Sequence, residues 1–161
     1  MIVIQSGRKE QVPMLCKLLI ATWKKGYTSF LSAEILDNLN LEQQIKRHRK
    51  YFEAGIQYVV AKNESNKILG FGSYGKNRMS YDSDILELYT LYVGMENQGQ
   101  GVGGKLLKEI VNRIDGDLVV SVFEKNPYKK FYSNFGFEKI DSESIELIDQ
   151  QLECELSLIH I

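Results

Sequence analysis

A glycine-rich stretch of eight residues, 98–105, constrains this chain more than any other feature. It reads Gln-Gly-Gln-Gly-Val-Gly-Gly-Lys, and the pattern Q-x-x-G-x-G overlaps in it with two others. These are the full G-x-G-x-x-G motif and most of G-x-x-x-x-G-K-[ST], both of which bind phosphate. All of them use glycine because a backbone without Cβ can bring its N–H groups close to a phosphate at a helix start. The sequence therefore predicts a phosphate-binding loop, and the surrounding residues must distinguish the three patterns.

The segments on either side place this loop between a strand and a helix. Residues 85–93 are rich in aromatic and branched side chains, and apolar residues recur at helical spacing over 102–114. A dinucleotide fingerprint or a P-loop begins almost directly after its strand, whereas here five residues, 94–98, intervene. Leu106 also stands where a P-loop needs a hydroxyl group. Glu124 lies at the spacing of a ribose-binding acid, so the dinucleotide interpretation stays open as the weaker one, beside a glycine turn without a ligand.

A second segment, about thirty residues downstream, favours the Q-x-x-G-x-G pattern. Residues 118–123 predict a short buried strand, Asn126-Pro127 predicts a helix start, and residues 131–137 read Phe-Tyr-Ser-Asn-Phe-Gly-Phe. The combination resembles the GNAT superfamily of acetyl-CoA-dependent N-acetyltransferases, which pairs such a loop with a strand, an Asn and an F-Y-x-x-x-G-F segment. The resemblance covers residues 87–137 and extends more loosely to the helices around Trp23. The chain departs from the family in one spacing, because Asn126 precedes Tyr132 by six residues, one fewer than usual.

The resemblance implies roles for individual residues. Glu87 is the expected base that removes a proton from the attacking amine, and Tyr132 is the expected acid that protonates the departing thiolate. The acetyl-CoA site is expected to comprise Leu91, Tyr92, Val93, Gln98, Gly99, Gln100, Gly101, Val102, Gly103, Gly104 and Asn126. If the strand alternates regularly, Glu87, Tyr89 and Leu91 share one face, and Leu88, Thr90 and Tyr92 share the other. A GNAT-like module that binds acyl-CoA without efficient chemistry is the alternative function.

The acceptor is expected to be a primary amine of unidentified structure. In the family it binds between the first helices and the final hairpin, which here places Tyr27 and Phe30 opposite the acidic residues of 141–155. That arrangement predicts a cationic amine without a neighbouring carboxylate, packed against the two aromatic rings. The regular alternation of the last strand points the other way, to acids that face solvent and aromatic rings that fill the core.

Composition excludes several classes of protein. The chain has 161 residues and a formal charge of −1, and its one basic cluster, 46–50, is typical of a solvated helix face. We therefore expect no nucleic-acid partner, no membrane span and no signal peptide, and a cytoplasmic monomer or homodimer. Cys16 and Cys154 are expected to be reduced, buried thiols. His48 and His160 are expected to lie at the surface, and their spacing is not that of metal ligands.

The order of predicted elements indicates one α/β domain over residues 1–161. A strand at 2–5 precedes helices at 9–24, 32–39 and 41–54, with Ser6 and Ser32 as caps. A hairpin at 57–62 and 68–75, the strand–loop–helix unit, a strand, a short helix and a final hairpin at 143–148 and 152–159 follow. This order predicts a mixed, mostly antiparallel sheet of about seven strands flanked by helices, as in the GNAT fold.

Overall fold

The predicted strands assemble into one mixed sheet. The computed structural model describes residues 1–79, 82–148 and 150–159. In these residues the strands are β1 (Val3–Ser6), β2 (Gln57–Lys62), β3 (Ile68–Lys76), β4 (Leu86–Val93), β5 (Leu118–Phe123), β6 (Glu138–Leu147) and β7 (Gln150–Ile159). They form a seven-stranded sheet in the order β1-β2-β3-β4-β5-β7-β6. Only the β4–β5 pair is parallel among these, which confirms the expected mixed, mostly antiparallel sheet.

Helices cover both faces of the sheet. They are α1 (Val12–Gly26), α2 (Ala33–Asp37), α3 (Leu41–Glu53), α4 (Val102–Arg113) and α5 (Lys130–Phe135). The apolar stripe of α4 packs on one face, where Leu106, Leu107 and Ile110 are fully buried. Helices α1 and α3 cover the other face, where Leu19 packs against Phe71. None of the described helices is both long enough and apolar enough to cross a bilayer.

The helix ends follow local side-chain chemistry. The Ser32 hydroxyl accepts a hydrogen bond from the Ile35 N–H at 3.2 Å, which confirms it as the cap of α2. Gly55 follows α3 with a φ of +89°, a conformation that glycine adopts at low cost. The expected Ser6 cap is wrong, because Ser6 is the last residue of β1 and α1 starts at Val12, after a 3₁₀ turn. Pro13 sits in the first turn of α1, where no backbone donor is needed.

An irregularity in β4 shapes the centre of the sheet. Ser73 of β3 pairs with Thr90, but the next residue, Tyr74, pairs with Leu88, so Tyr89 is an extra residue. Such a bulge changes the phase of the side chains. Leu88 and Leu91 therefore both pack towards α4, whereas Tyr89 and Tyr92 both face α1 and α3. The predicted grouping of Glu87, Tyr89 and Leu91 on one face is wrong for this reason.

The parallel strands separate beyond the bulge. Only residues 86–88 of β4 pair with residues 118–120 of β5, and both strands continue, within the described chain, without further mutual pairing. Apart from the Val93 carbonyl, which accepts from the Gln98 side chain, backbone groups on that edge of residues 89–93 are therefore available to a ligand instead of a neighbouring strand. The result is a gap in the sheet that opens towards the glycine-rich loop.

The final hairpin is longer than expected. β6 begins at Glu138 rather than Glu143, and β7 begins at Gln150, so residues 150 and 151 belong to the strand. Of the predicted connection 149–151, Asp149 lies outside the described residues. Leu152, Cys154, Leu156 and Leu158 are buried along one face of β7. Both cysteines are free and buried, as expected.

The expectation that His48 is a surface residue is wrong. Its imidazole is only 3% exposed, and its Nδ1 shares a hydrogen bond with the Tyr58 hydroxyl. Burial, with smaller effects of the positive charges of Arg47 and Arg78, lowers the pKa of His48 to about 4. The ring is therefore neutral in the folded protein and belongs to the core between α3 and the sheet. His160 lies outside the described residues.

Candidate active site

The glycine-rich loop presents backbone donors at the start of α4. Gly99 and Gly101 have φ angles of +77° and +83°, which other residues adopt only with strain. Gly101 precedes the first helical residue, and its carbonyl accepts the first helical bond, from the Lys105 N–H at 3.1 Å. The N–H groups of Val102, Gly103 and Gly104 form the first turn, where a helix leaves its donors unpaired. An anion at this point would meet these donors and the positive end of the helix dipole.

A cavity of about 350 Å³ extends from this turn into the gap between β4 and β5. We call it the loop cavity. Every residue predicted for the acetyl-CoA site lines it except Gln100, whose side chain instead donates to the Glu96 carbonyl at 3.3 Å. The remaining walls are the aromatic rings and small side chains of Thr22, Tyr27, Asn97, Tyr128, Phe131 and Tyr132. A narrow apolar channel that ends at helix donors suits a long flexible chain attached to a phosphate. Contact of these residues with acetyl-CoA stays a prediction.

Gln98 stabilises the loop from within. Its Nε2 donates to the Val93 carbonyl at 3.1 Å and lies 3.3 Å from the Met95 sulfur. The side chain therefore ties the end of β4 to the glycines and fixes the direction in which the loop leaves the strand. The predicted contact of Gln98 with acetyl-CoA stays a prediction.

Tyr132 lies where the loop cavity meets the gap in the sheet. Helix α5 holds its ring against Phe131 and Phe137 in edge-to-face contacts. Its hydroxyl has no hydrogen-bond partner among the described residues. Burial and, to a smaller extent, the neighbouring Tyr92 raise the pKa of Tyr132, so the phenol is protonated at neutral pH. A protonated phenol with a free O–H at this position suits a proton donor.

Asn126 bridges the loop cavity to the first helices despite its altered spacing. Its Nδ2 donates to the Tyr27 hydroxyl at 3.1 Å, and its Oδ1 accepts from the Tyr128 N–H at 2.8 Å. Tyr27 is 6% exposed and lines the loop cavity. Phe30 packs against Phe123 and Leu152 and lines none of the cavities described here. Both aromatic residues belong to a core cluster between α1 and the hairpin, and their contact with the acceptor stays a prediction.

Glu87 is held in a closed ion pair. It is 2% exposed, and its Oε1 accepts from the backbone N–H and the Nε of Arg78, at 2.9 and 3.1 Å. Its Oε2 accepts from Nη2 of Arg78 at 2.6 Å. Both oxygens are thus occupied, and Glu87 lines none of the described cavities. The base role of Glu87 stays a prediction, and this geometry favours a different role, in which Glu87 orients Arg78.

Arg78 is the functional candidate that the sequence did not reveal. Its guanidinium lies 3.9 Å from the centre of the Tyr89 ring, and its Nη1 donates to the Tyr51 hydroxyl at 3.1 Å. Burial alone would lower the pKa of Arg78, but the hydrogen bonds and charge of Glu87 outweigh it and raise the pKa. Arg78 belongs to no recognisable motif, because its partners come from α3 and β4.

Two further cavities continue from the gap towards α1 and α3. The strand-gap cavity, about 350 Å³, shares Tyr27, Leu91, Tyr92, Asn126 and Tyr132 with the loop cavity and is also lined by Arg78, Ser121 and Cys154. The arginine cavity, about 180 Å³, shares Trp23, Arg78, Tyr89, Thr90 and Tyr92 with it and adds Arg47, His48, Tyr51 and Gln44. Trp23 donates to the Tyr92 hydroxyl at 2.9 Å across their common wall. The three cavities are therefore neighbours around the gap between β4 and β5.

Comparison with known proteins identifies the class. A family model for the GNAT acetyltransferase domain matches residues 27–147. The chain belongs to this family and is an acyltransferase. This finding also confirms the resemblance inferred from the glycine-rich loop and the F-Y-x-x-x-G-F segment.

Individual relatives agree with this assignment. The chain is 24% identical, over 95% of its length and 90% of the relative's, to YuaI, an uncharacterised N-acetyltransferase of Bacillus subtilis. A phosphinothricin acetyltransferase from Sinorhizobium meliloti, solved with acetyl-CoA, matches with a TM-score of 0.76 at 15% identity, covering 99% of this chain and 88% of that one. The PaiA N-acetyltransferase from Thermoplasma acidophilum, solved with coenzyme A, matches with a TM-score of 0.70 at 19% identity, covering 96% and 98%. These structures share the fold.

Proposed function

We propose that this protein transfers the acetyl group of acetyl-CoA directly to a primary amine at the gap between β4 and β5. The observation that carries the proposal is the position of the Tyr132 hydroxyl. Tyr132 lines both the loop cavity, which begins at the helix donors of α4, and the strand-gap cavity, which extends along β5. A thioester and an amine that enter from the two cavities meet at Tyr132.

The first turn of α4 holds the pyrophosphate in this proposal. The backbone N–H groups of 102–104 donate to it, and the left-handed Gly99 and Gly101 keep side chains away from the approach. The unpaired edge of 89–93 binds the amide groups of the pantetheine arm and polarises the thioester carbonyl. Neutral backbone donors suffice for this, because the oxyanion develops in a site with little water.

The chemical step needs one proton donor and one route for a proton to leave. The ammonium form first loses one proton to water in the strand-gap cavity, and the neutral nitrogen then bonds to the carbonyl carbon. The carbon–sulfur bond breaks, the thiolate takes the proton of Tyr132, and the second proton of the nitrogen returns through water to the Tyr132 oxygen. Glu143, whose Oε1 accepts from Ser121 in that cavity wall at 3.2 Å, attracts the ammonium form. Glu87 keeps Arg78 in position.

The ion pair of Glu87 also favours a second candidate function. A GNAT domain whose expected base is fully engaged resembles a module that binds acyl-CoA without efficient transfer. The two functions make the same prediction for acetyl-CoA binding and opposite predictions for turnover.

Two measurements on the purified protein test the proposal. Calorimetric titration should show binding of acetyl-CoA and no binding of NAD or Mg-ATP, and Gly101→Val should weaken it strongly. Release of coenzyme A thiol should then depend on an added amine, in a panel of amines, amino acids and peptides. Binding without amine-dependent thiol release from any member supports the binding module, and preferential binding of NAD or Mg-ATP refutes both functions.

A further inference from the structure

The arginine cavity departs from the cationic-acceptor prediction. None of its described lining residues is an Asp or Glu, whereas Arg47 and Arg78 both line it. The hairpin acids expected to face the acceptor are largely turned away, and Glu155 pairs with Lys129 at 3.0 Å and with Lys139 at 3.9 Å. An acceptor that extends beyond the gap into the α3 end of the arginine cavity therefore meets positive charge.

Arg78 retains N–H groups with which it can bind an anion. Three of its five side-chain N–H groups are used, two for Glu87 and one for Tyr51, so one N–H on each terminal nitrogen remains. The side chain is 49% exposed and lines the cavity, and the Tyr89 ring fixes its plane. A guanidinium held in this way binds a carboxylate with little further loss of side-chain freedom.

Arg47 supplies the unbalanced charge. The charge of Arg78 is largely offset by Glu87, but Arg47 forms no ion pair with any described residue. It extends from the exposed face of α3 to the cavity rim, beside Gln44, whose amide adds a neutral donor or acceptor. The neutral state of the buried His48 fits this positive surrounding, since both arginines disfavour its protonated form.

The arginine cavity adjoins the strand-gap cavity, where the amine would react. Arg78, Tyr89, Thr90 and Tyr92 line both the arginine cavity and the strand-gap cavity, so the two cavities are direct neighbours. Ser121 lines the strand-gap cavity, and the exposed Glu143 accepts a hydrogen bond from it. An amine at the gap and an anionic group at the arginines thus meet complementary charges.

We infer that the acceptor is a small primary amine that also carries a carboxylate, bound by Arg78 and Arg47 in the arginine cavity. This inference rests on the proposed acetyl transfer and names the substrate class of that site. It predicts selection of amino acids or similar zwitterions over polyamines.

Matched acceptors and matched variants test the inference. Each amino acid of a panel is compared with its carboxamide and with the corresponding amine that lacks the carboxylate. Thiol release gives kcat/KM, and thermal stabilisation of the acetyl-CoA-saturated protein gives a readout independent of turnover. Arg47→Gln removes the cavity charge, Arg47→Lys restores it, and Arg49→Gln removes an equivalent exposed charge on α3 that does not line the cavity.

We expect the amino acids to exceed their carboxamides in kcat/KM and Arg47→Gln to lower kcat/KM for the amino acids by about tenfold or more. Arg47→Lys should recover part of the loss. The kcat/KM values of Arg49→Gln, and those of every variant with the carboxamides, should change by less than about twofold.

Equal use of amino acid and carboxamide, an equal loss in Arg49→Gln, or a preference for polyamines would overturn the inference while leaving acetyl transfer intact. If no panel member is acetylated, the proposed transfer fails, and stabilisation by carboxylates that Arg47→Gln abolishes would still support the anion site. Absence of that stabilisation overturns it.

Discussion

Replacing single glycines in the loop separates backbone strain from steric exclusion. Gly101 has a φ of +83°, and a Cβ built there meets no atom within 4 Å. The cost of Gly101→Ala is therefore conformational. A left-handed non-glycine residue costs ~1–2 kcal/mol. Because alanine also restricts the unfolded chain, which favours folding by ~0.5 kcal/mol, the net loss should be about 1 kcal/mol.

Gly104 provides the matched control three residues later. A Cβ there also meets no atom within 4 Å, but Gly104 lies inside the first turn of α4 with no left-handed φ. Gly104→Ala should therefore stabilise the protein by ~0.5 kcal/mol through helix propensity. The two variants should differ by about 1.5 kcal/mol, which corresponds to a Tm difference of roughly 3–6 °C for a domain of this size.

Thermal unfolding of the two variants and the unmodified protein, without ligand, measures this difference. Acetyl-CoA titrations of both variants then measure how well the glycine-rich loop binds the ligand. Gly101→Ala should weaken acetyl-CoA binding because strain displaces the first helical N–H groups. Equal Tm values, or a Gly101→Ala variant more stable than Gly104→Ala, would show that the loop does not depend on a left-handed glycine at 101.

Three further predictions concern the acid, the ion pair and the buried imidazole. Tyr132→Phe should lower kcat by about 100-fold or more with little change in acetyl-CoA affinity, and an unchanged kcat with chemistry rate-limiting would assign Tyr132 to packing. Glu87→Gln should destabilise the fold by about 2 kcal/mol, because Arg78 loses a charged partner that is itself buried. The shape of the pH–rate profile should stay unchanged in this variant. Loss of one limb of the profile would instead identify Glu87 as the base. His48 is neutral when folded, with a pKa of about 4, so protonation favours the unfolded chain. Stability should be constant above pH 6.5 and fall by up to about 3 kcal/mol towards pH 4, and His48→Gln should remove that fall.

The loop and its flanking elements were predictable because their signals are local. Glycines at fixed spacing, a run of β-formers before them and a 3.6-residue apolar period after them each depend on neighbouring residues alone. The position of Tyr132 followed from the same kind of evidence, through its F-Y-x-x-x-G-F surroundings.

The features that were missed depend on contacts between distant segments. No residue near Tyr89 signals the bulge, which arises from its register with β3, and Leu91 was placed on the face of Glu87 and Tyr89 as a consequence. The Glu87–Arg78 pair forms because β3 and β4 are antiparallel neighbours joined by a loop. His48 looked like part of a basic surface cluster, and only the position of α3 over Tyr58 turns its ring inward.

A co-crystal structure with coenzyme A tests the central claim most directly. The pyrophosphate should lie on the backbone N–H groups of 102–104, the pantetheine arm should run along residues 89–93, and the sulfur should be within hydrogen-bond distance of the Tyr132 hydroxyl. Coenzyme A bound outside the loop cavity, or a sulfur remote from Tyr132 on the other side of the sheet, would contradict the proposed site of acetyl transfer.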